Sequence, residues 1–223
     1  MKQEVGFEQF GIDPDFRVTS FSDCIVVTTS SGCENQNLLI LFLCHLFTEM
    51  ANIGVFFRGA LTLGLIHHSG NIIYGPALVR AYLLETEQAK HPRIILDPDI
   101  SLPDLVPLGF RVGPHVDQAF GFMPVKRDAN DNLEFINAVE FSLGKASWEA
   151  AREVYCKEFN EVNIQNNPRY WRDWPDNFRT HISSNLTAYR NDDSIRKKYV
   201  WLAQYFNSTY LSKKNRDSEK IVI

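Results

Sequence analysis

The sequence predicts an α+β fold: a sheet assembled in the first 100 residues, with helices on one face, followed by a mainly helical extension. Three observations lead there. Residues 16–29 are rich in β-branched and aromatic types, residues 34–52 carry apolar side chains at helical spacing, and strand and helix signals then alternate as far as residue 97. With 44% hydrophobic and 13% aromatic residues, the 223-residue chain can bury a sizeable core.

The first element is a hairpin, because the run Phe16 to Thr29 is interrupted only by Ser22-Asp23, a good turn pair. A helix follows, in which Leu38, Leu39, Phe42, Leu46, Phe47 and Met50 recur at helical spacing and Gly54 supplies the stop. Its middle is apolar nearly all round, which predicts cover on more than one side, by the sheet and by a second subunit. Residues 55–67 read as one buried strand in which Gly59 and Gly64 admit a close neighbour, and the Ser69-Gly70-Asn71 turn returns the chain through Ile72 to Tyr74. Gly75-Pro76 opens a second helix that runs to about Lys90, His91-Pro92 ends it, and Arg93 to Leu96 form the last strand. That order lacks only an opening strand and helix to complete a ferredoxin-like βαββαβ unit.

Prolines at 103, 107, 114 and 124 mark a change of texture, and Asp128 to Asn132 read as a hairpin turn. From Trp148 the pattern is helical and aromatic, broken at Asn166-Asn167-Pro168 and Trp174-Pro175, with a last helix around Ser194 to Asn207. The expected organisation is a core over 1–100, an extension packed on it over 101–212, and a charged tail over 213–223, frayed from Lys213 to Lys220.

Charge narrows the function. With 23 Lys and Arg against 27 Asp and Glu, the net charge of −4 provides no global field for a nucleic-acid polymer, although a small nucleotide remains open. The four cysteines form no CxxC pair, which fits reduced thiols in a cytoplasm. The most apolar run, Leu38 to Phe47, is ten residues where a membrane span needs about 20.

Asp23 stands out as an acid at the turn of an apolar hairpin: it reads either as a ligand for a hard divalent cation or as half of a favourable turn pair. Arg58, in an apolar strand, must meet an anionic ligand or an internal acid such as Glu85. Gly75 either brings backbone N–H groups to a phosphate or simply starts its helix. His67 and His68 are adjacent on a strand and point to opposite faces, which argues against a metal pair. Cys24 reads as a packed thiol, and the Tyr170, Trp171, Trp174 group as an anchor for the core.

Four segments, Phe21-Ser22-Asp23-Cys24-Ile25-Val26, Arg58-Gly59-Ala60-Leu61-Thr62-Leu63-Gly64, Tyr74-Gly75-Pro76-Ala77 with Ala81-Tyr82 and Glu85, and His91-Pro92-Arg93-Ile94, together resemble one family. They are similar to the pyrimidine nucleotide cyclases of the Pycsar antiphage systems, relatives of the class III adenylate and guanylate cyclases. The segment from Lys198 to Asn207 resembles that family's C-terminal part. The resemblance implies a class III cyclase-like fold, a homodimer, two Mn²⁺ or Mg²⁺ ions, UTP or CTP as substrate, and a 3′,5′-cyclic nucleotide product read by a separate effector. It implies that Asp23 is the second of the family's two metal aspartates and that base choice falls to the strand holding Arg17 and Thr19. Positions four and eight after the helix-start Gly75 hold Val79 and Leu83 rather than the Asn and Arg of class III cyclases, so Arg58 or Arg80 takes the charge-neutralising role. Only 22 residues precede Asp23, where a first strand and helix with their loops need about 25 or more, which predicts an N-terminally incomplete core. The rival expectation is a non-catalytic cyclase-homology module for dimerisation or nucleotide sensing.

Overall fold

The computed structural model describes residues 16–99, 108–112, 116–122, 124–144, 170–214 and 220–223. Strands β1 (Arg17–Phe21) and β2 (Cys24–Thr28) form the expected hairpin, paired in full from Arg17 opposite Thr28 to Phe21 opposite Cys24. Ser22 takes a positive φ of 55° at the first central position, as tight hairpin turns with right-handed twist require. Helix α1 (Cys33–Asn52) follows, and Gly54, at φ 80°, ends it as expected.

The single long strand expected over 55–67 is two short ones, β3 (Gly59–Leu61) and β4 (His67–Ser69), and β4 pairs with β5 (Ile72–Tyr74). The chain leaves the sheet after Leu61 because Thr62 turns to bond Asp97, and Gly64 lies against the first turn of helix α2 (Pro76–Glu87), where an added Cβ would come within 3.2 Å of Ala77 Cβ. Helix α2 packs on β3 and delivers the chain to β6 (Ile94–Leu96), which lies parallel to β3.

Strands β7 (Leu108–Val112) and β8 (Val116–Phe122) form their own hairpin. The expected turn at 128–132 joins β9 (Val125–Arg127) to β10 (Glu134–Ile136), and β10 pairs antiparallel with β6. The extension therefore completes the core sheet, whose order is β3-β6-β10-β9. Ile94, Ile95 and Leu96 are all buried, so β6 is covered on both faces. The β1–β2 ladder shares no backbone pairing with this sheet among the described residues, a departure from the one continuous sheet expected.

Helix α3 (138–144) is followed by α4 (Tyr170–Ala188) and α5 (Asp193–Lys214). The break expected at Trp174-Pro175 is absent: Pro175 lies inside α4, and Trp174 and Phe178 are fully buried beside it. The expected helical stretch from Trp148 falls outside the described residues up to Tyr170, as do the side chains of Tyr170 and Trp171. Of the segment expected to fray, Lys213 and Lys214 continue α5 and 215–219 lie outside the described residues; beyond it Ile221 is buried, its N–H and C=O both held by the Asn207 amide at 2.9 Å.

The apolar face of α1 is covered by its own chain. Leu39, Ile40, Leu43, Cys44 and Phe47 join Trp174, Phe178, Leu202 and Phe206 in one core. Trp174 Nε1 donates to Thr48 O, and Asn177 bonds the Asn52 side chain near the end of α1. Leu38, Leu41, Phe42, Leu46 and Met50 stay half-buried. Among the described residues no helix is long and apolar enough to cross a membrane.

Candidate functional site

The residues singled out from the sequence gather around the two hairpins and α2. Asp23 is exposed at the tip of the β1–β2 hairpin, its carboxylate 4.0 Å from Cys24 Sγ. Cys24 is therefore an exposed thiol, not the packed one expected, because the pleat aims it beside Phe21 on a hairpin end that no other element covers among the described residues. The fully buried thiol is Cys44, whose pKa burial pushes far above the ordinary range.

Antiparallel register puts Arg17, Thr19 and Phe21 on one face of the hairpin with Thr28, Val26 and Cys24. Arg17 donates to the His68 backbone oxygen. The Thr19 hydroxyl is 2.8 Å from His68 Nε2 and donates to Gly70 O at 3.1 Å, and the Thr28 hydroxyl is 2.7 Å from His68 Nδ1. The His68 pKa is lowered, first by burial and then by the charges of Arg17 and His67, so the ring is neutral at pH 7. His67 stacks on Tyr74 at the surface, on the opposite face, as the alternation predicts.

Both candidate catalytic arginines have intrachain partners. Arg58 precedes β3 and pairs with Glu85 of α2, the internal acid named from the sequence, and reaches Ala89 O at 3.4 Å. Arg80 grips Asp97 through Nε at 2.9 Å and one terminal nitrogen at 2.6 Å, and that same nitrogen meets Asp99 at 2.7 Å. Asp97 follows β6 at the carboxyl ends of the parallel pair and also accepts from Thr62 at 2.6 Å and from the Asp99 N–H. Arg80 foremost, with help from Thr62 and that N–H, outweighs burial and holds the Asp97 carboxyl far below the usual carboxylate range. Gly75, at φ 143°, has a packing duty: an added Cβ would sit 2.6 Å from Leu65 O, and Leu65 O already accepts the Ala77 N–H at 3.2 Å. One helix-start amide is thus committed within the chain.

Sequence reasoning missed the centre around Arg93. This guanidinium is nearly fully buried, paired with Asp128 and Asp131, and lies 5.4 Å from the Phe135 ring and 5.2 Å from that of Trp201. Trp201 donates to Asp128 at 2.6 Å, and His91 stacks on its indole with the planes 4° apart. Burial pushes the Asp128 carboxyl up, but the Asn130 N–H, Trp201 and Arg93 outweigh it and leave it lowered. The signal was present as two separate segments, His91-Pro92-Arg93 and Lys198 to Asn207, which the fold brings into contact.

Asp23 offers a hard oxygen ligand, yet among the described residues no three His, Cys, Asp or Glu side chains gather into a group that could hold a metal ion. A cation at Asp23 would complete its shell with phosphate, water or other carboxylates. No family model, no curated protein and no solved structure matches this chain.

Proposed function

We propose that the chain is a pyrimidine nucleotide cyclase that closes UTP or CTP to the 3′,5′-cyclic nucleotide. The observation that supports this reading is one of placement. An exposed acid at a hairpin tip is followed by a buried helix and then by a strand–hairpin–helix–strand crossover, and the four family-like segments fall on the tip of the first hairpin, β3, the start of α2 and β6. In the reaction the ribose 3′-hydroxyl gives up its proton to water, its oxygen bonds to the α-phosphorus, and pyrophosphate leaves with the electrons of the broken P–O bond. Mn²⁺ or Mg²⁺ neutralises phosphate charge when bound, and Asp23 is the residue assigned to hold it. Arg80 is the better of the two arginine candidates, because its partner Asp99 is 80% exposed and is readily exchanged for a phosphate oxygen. The product would act as a second messenger in antiphage defence, and a homodimer would use surface other than the covered face of α1.

The intrachain pairing of both Arg58 and Arg80 favours a second reading, a nucleotide-binding module without turnover. One experiment separates them. The chain is incubated with UTP, CTP, ATP or GTP and Mn²⁺, and the products are resolved by chromatography, alongside Asp23→Ala. The first reading expects a cyclic pyrimidine nucleotide from the wild type and a loss of about 100-fold or more in the variant, with the unfolding midpoint unchanged. UTP binding without product would establish the second reading, and undiminished turnover in Asp23→Ala would remove Asp23 from the site.

A further inference from the structure

The segment that joins α2 to β6 meets α5 through an aromatic contact, in which the His91 ring lies 5.2 Å from that of Trp201 with the planes nearly parallel. His91 is half-buried, but its Nδ1 is sealed from water and has no hydrogen-bond partner among the described residues. The charge of Arg93 acts on this ring and favours a lone pair over an N–H at the sealed nitrogen, so the neutral ring carries its proton on Nε2. An imidazolium has a proton on both nitrogens. Charging His91 in place therefore buries a cationic donor without an acceptor, near the buried Arg93 cation, whose own Nε has no partner either. The other charges facing the ring come from two elements: Lys90 on its own segment, and Asp128 and Asp131 on the β9–β10 turn, while α5 presents the uncharged indole. Burial foremost, then Arg93, with Lys90 adding to them, outweigh the two acids and hold the ring below the ordinary histidine value.

We propose that His91 is an acid-released clasp: neutral, its ring lies flat on Trp201 and holds the approach to β6 against α5; charged, it leaves the indole and admits water to the bond from Trp201 to Asp128. That bond, 2.6 Å from indole nitrogen to carboxylate, ties α5 to the β9–β10 turn, and the same carboxylate oxygen also receives Arg93. The Asp128 carboxyl is itself held below its ordinary value, so it stays charged down to pH 5 and leaves the response to His91. The sign follows from linkage. The released ring binds a proton more tightly than the stacked one, so opening grows as pH falls from ~6.5 to the lower stacked value and levels off below it. The clasp does not depend on the cyclase reading.

The test has two arms, both on the whole chain. In the first, long-range ¹H–¹⁵N spectra between pH 8 and 5 read the tautomer and the titration of His91. The neutral Nε2–H form is expected, with a midpoint below pH ~6.5. An Nδ1–H ring, or a midpoint at or above that value, overturns the proposal. In the second arm, hydrogen exchange of two indoles separates release of the clasp from general loosening. Trp201 Nε1 bonds Asp128 at the clasp, whereas Trp174 Nε1 bonds Thr48 O at 3.1 Å, against α1. After correction for intrinsic exchange, the Trp201 opening constant is expected to rise up to about tenfold for each pH unit below ~6.5, while that of Trp174 stays unchanged. His91→Phe keeps a ring against the indole and cannot be charged, so it is expected to abolish the rise. No rise at Trp201, an equal rise at Trp174, or a rise that survives in His91→Phe overturns the clasp.

Discussion

Two regions of the molecule each bind an arginine with two aspartates, and they do it under opposite conditions. Arg93, between β6, the β9–β10 turn and α5, has 1% of its side chain exposed, and its partner Asp128 has 6%. Arg80, on α2, is 40% exposed, and one of its two acids is almost wholly in water. The first pair cannot be parted without stranding charge in the interior, whereas the second keeps its buried Asp97 and can exchange only its Asp99 contact with solvent or ligand at small cost. The same contrast runs through the whole chain. Apolar burial is concentrated where β6, β10, α1, α4 and α5 meet, while Val18, Phe21 and Ile25 of the candidate hairpin remain about half exposed.

The largest effect should come from Arg93→Ala. It leaves Asp128 buried without its cation, and loss of one partner of such a pair costs about 3 to 5 kcal/mol in urea unfolding. Adding Asp128→Asn should recover part of that loss. A loss below about 1 kcal/mol would mean that the buried cluster is not what holds this half together.

Asp97→Asn should cost less, about 1.5 to 3 kcal/mol at pH 7, because it weakens the charge-assisted bonds of a buried carboxylate to Arg80, which is itself 40% exposed. Its dependence on pH sharpens the comparison. The Asp97 carboxyl is lowered in the folded state, so its stabilisation is fully present above the unfolded value of ~3.9 and is lost as pH falls through the lower folded value. The gap between wild type and variant should therefore narrow steadily as acid is added below about pH 4. A gap independent of pH would assign the loss to packing instead.

The smallest effect belongs to Ile25→Thr on the exposed face of the hairpin, expected to stay within about 0.5 kcal/mol of wild type in thermal or urea unfolding. A loss comparable to that of Arg93→Ala would show that this face is covered in solution.

The local elements were largely legible in the sequence. Alternation, turn chemistry and helical spacing located the β1–β2 hairpin, α1, the proline-led start of α2 and the β9–β10 turn close to where they lie. Three features were hidden, each for a physical reason. The break of the 55–67 strand depends on Thr62 finding Asp97, 35 residues further on, which no local window contains. Pro175 inside α4 reflects packing around Trp174 overriding a local breaker. The engagement of His68 was hidden because its two hydroxyl partners lie 49 and 40 residues away. For the candidate site, residue types were visible but engagements were not: the arginines could be picked out, and only Glu85 among their acids was named in advance.

The cover over α1 also sets the order of events while the chain is being made. Its apolar face closes against Trp174, Phe178 and Phe206, and the bond from Trp174 to Thr48 spans 126 residues. At ~5 to 20 residues per second, α1 leaves the ribosome on the order of 6 to 24 s before Trp174 does. Throughout that interval Leu39, Leu43 and Phe47 lack their final cover, and the ten-residue apolar run within α1 is on offer to any chaperone at the exit. Folding of the N-terminal half is therefore tied to completion of the C-terminal one, and a ribosome stalled before α4 would release a chain marked for aggregation or proteolysis rather than a working fragment.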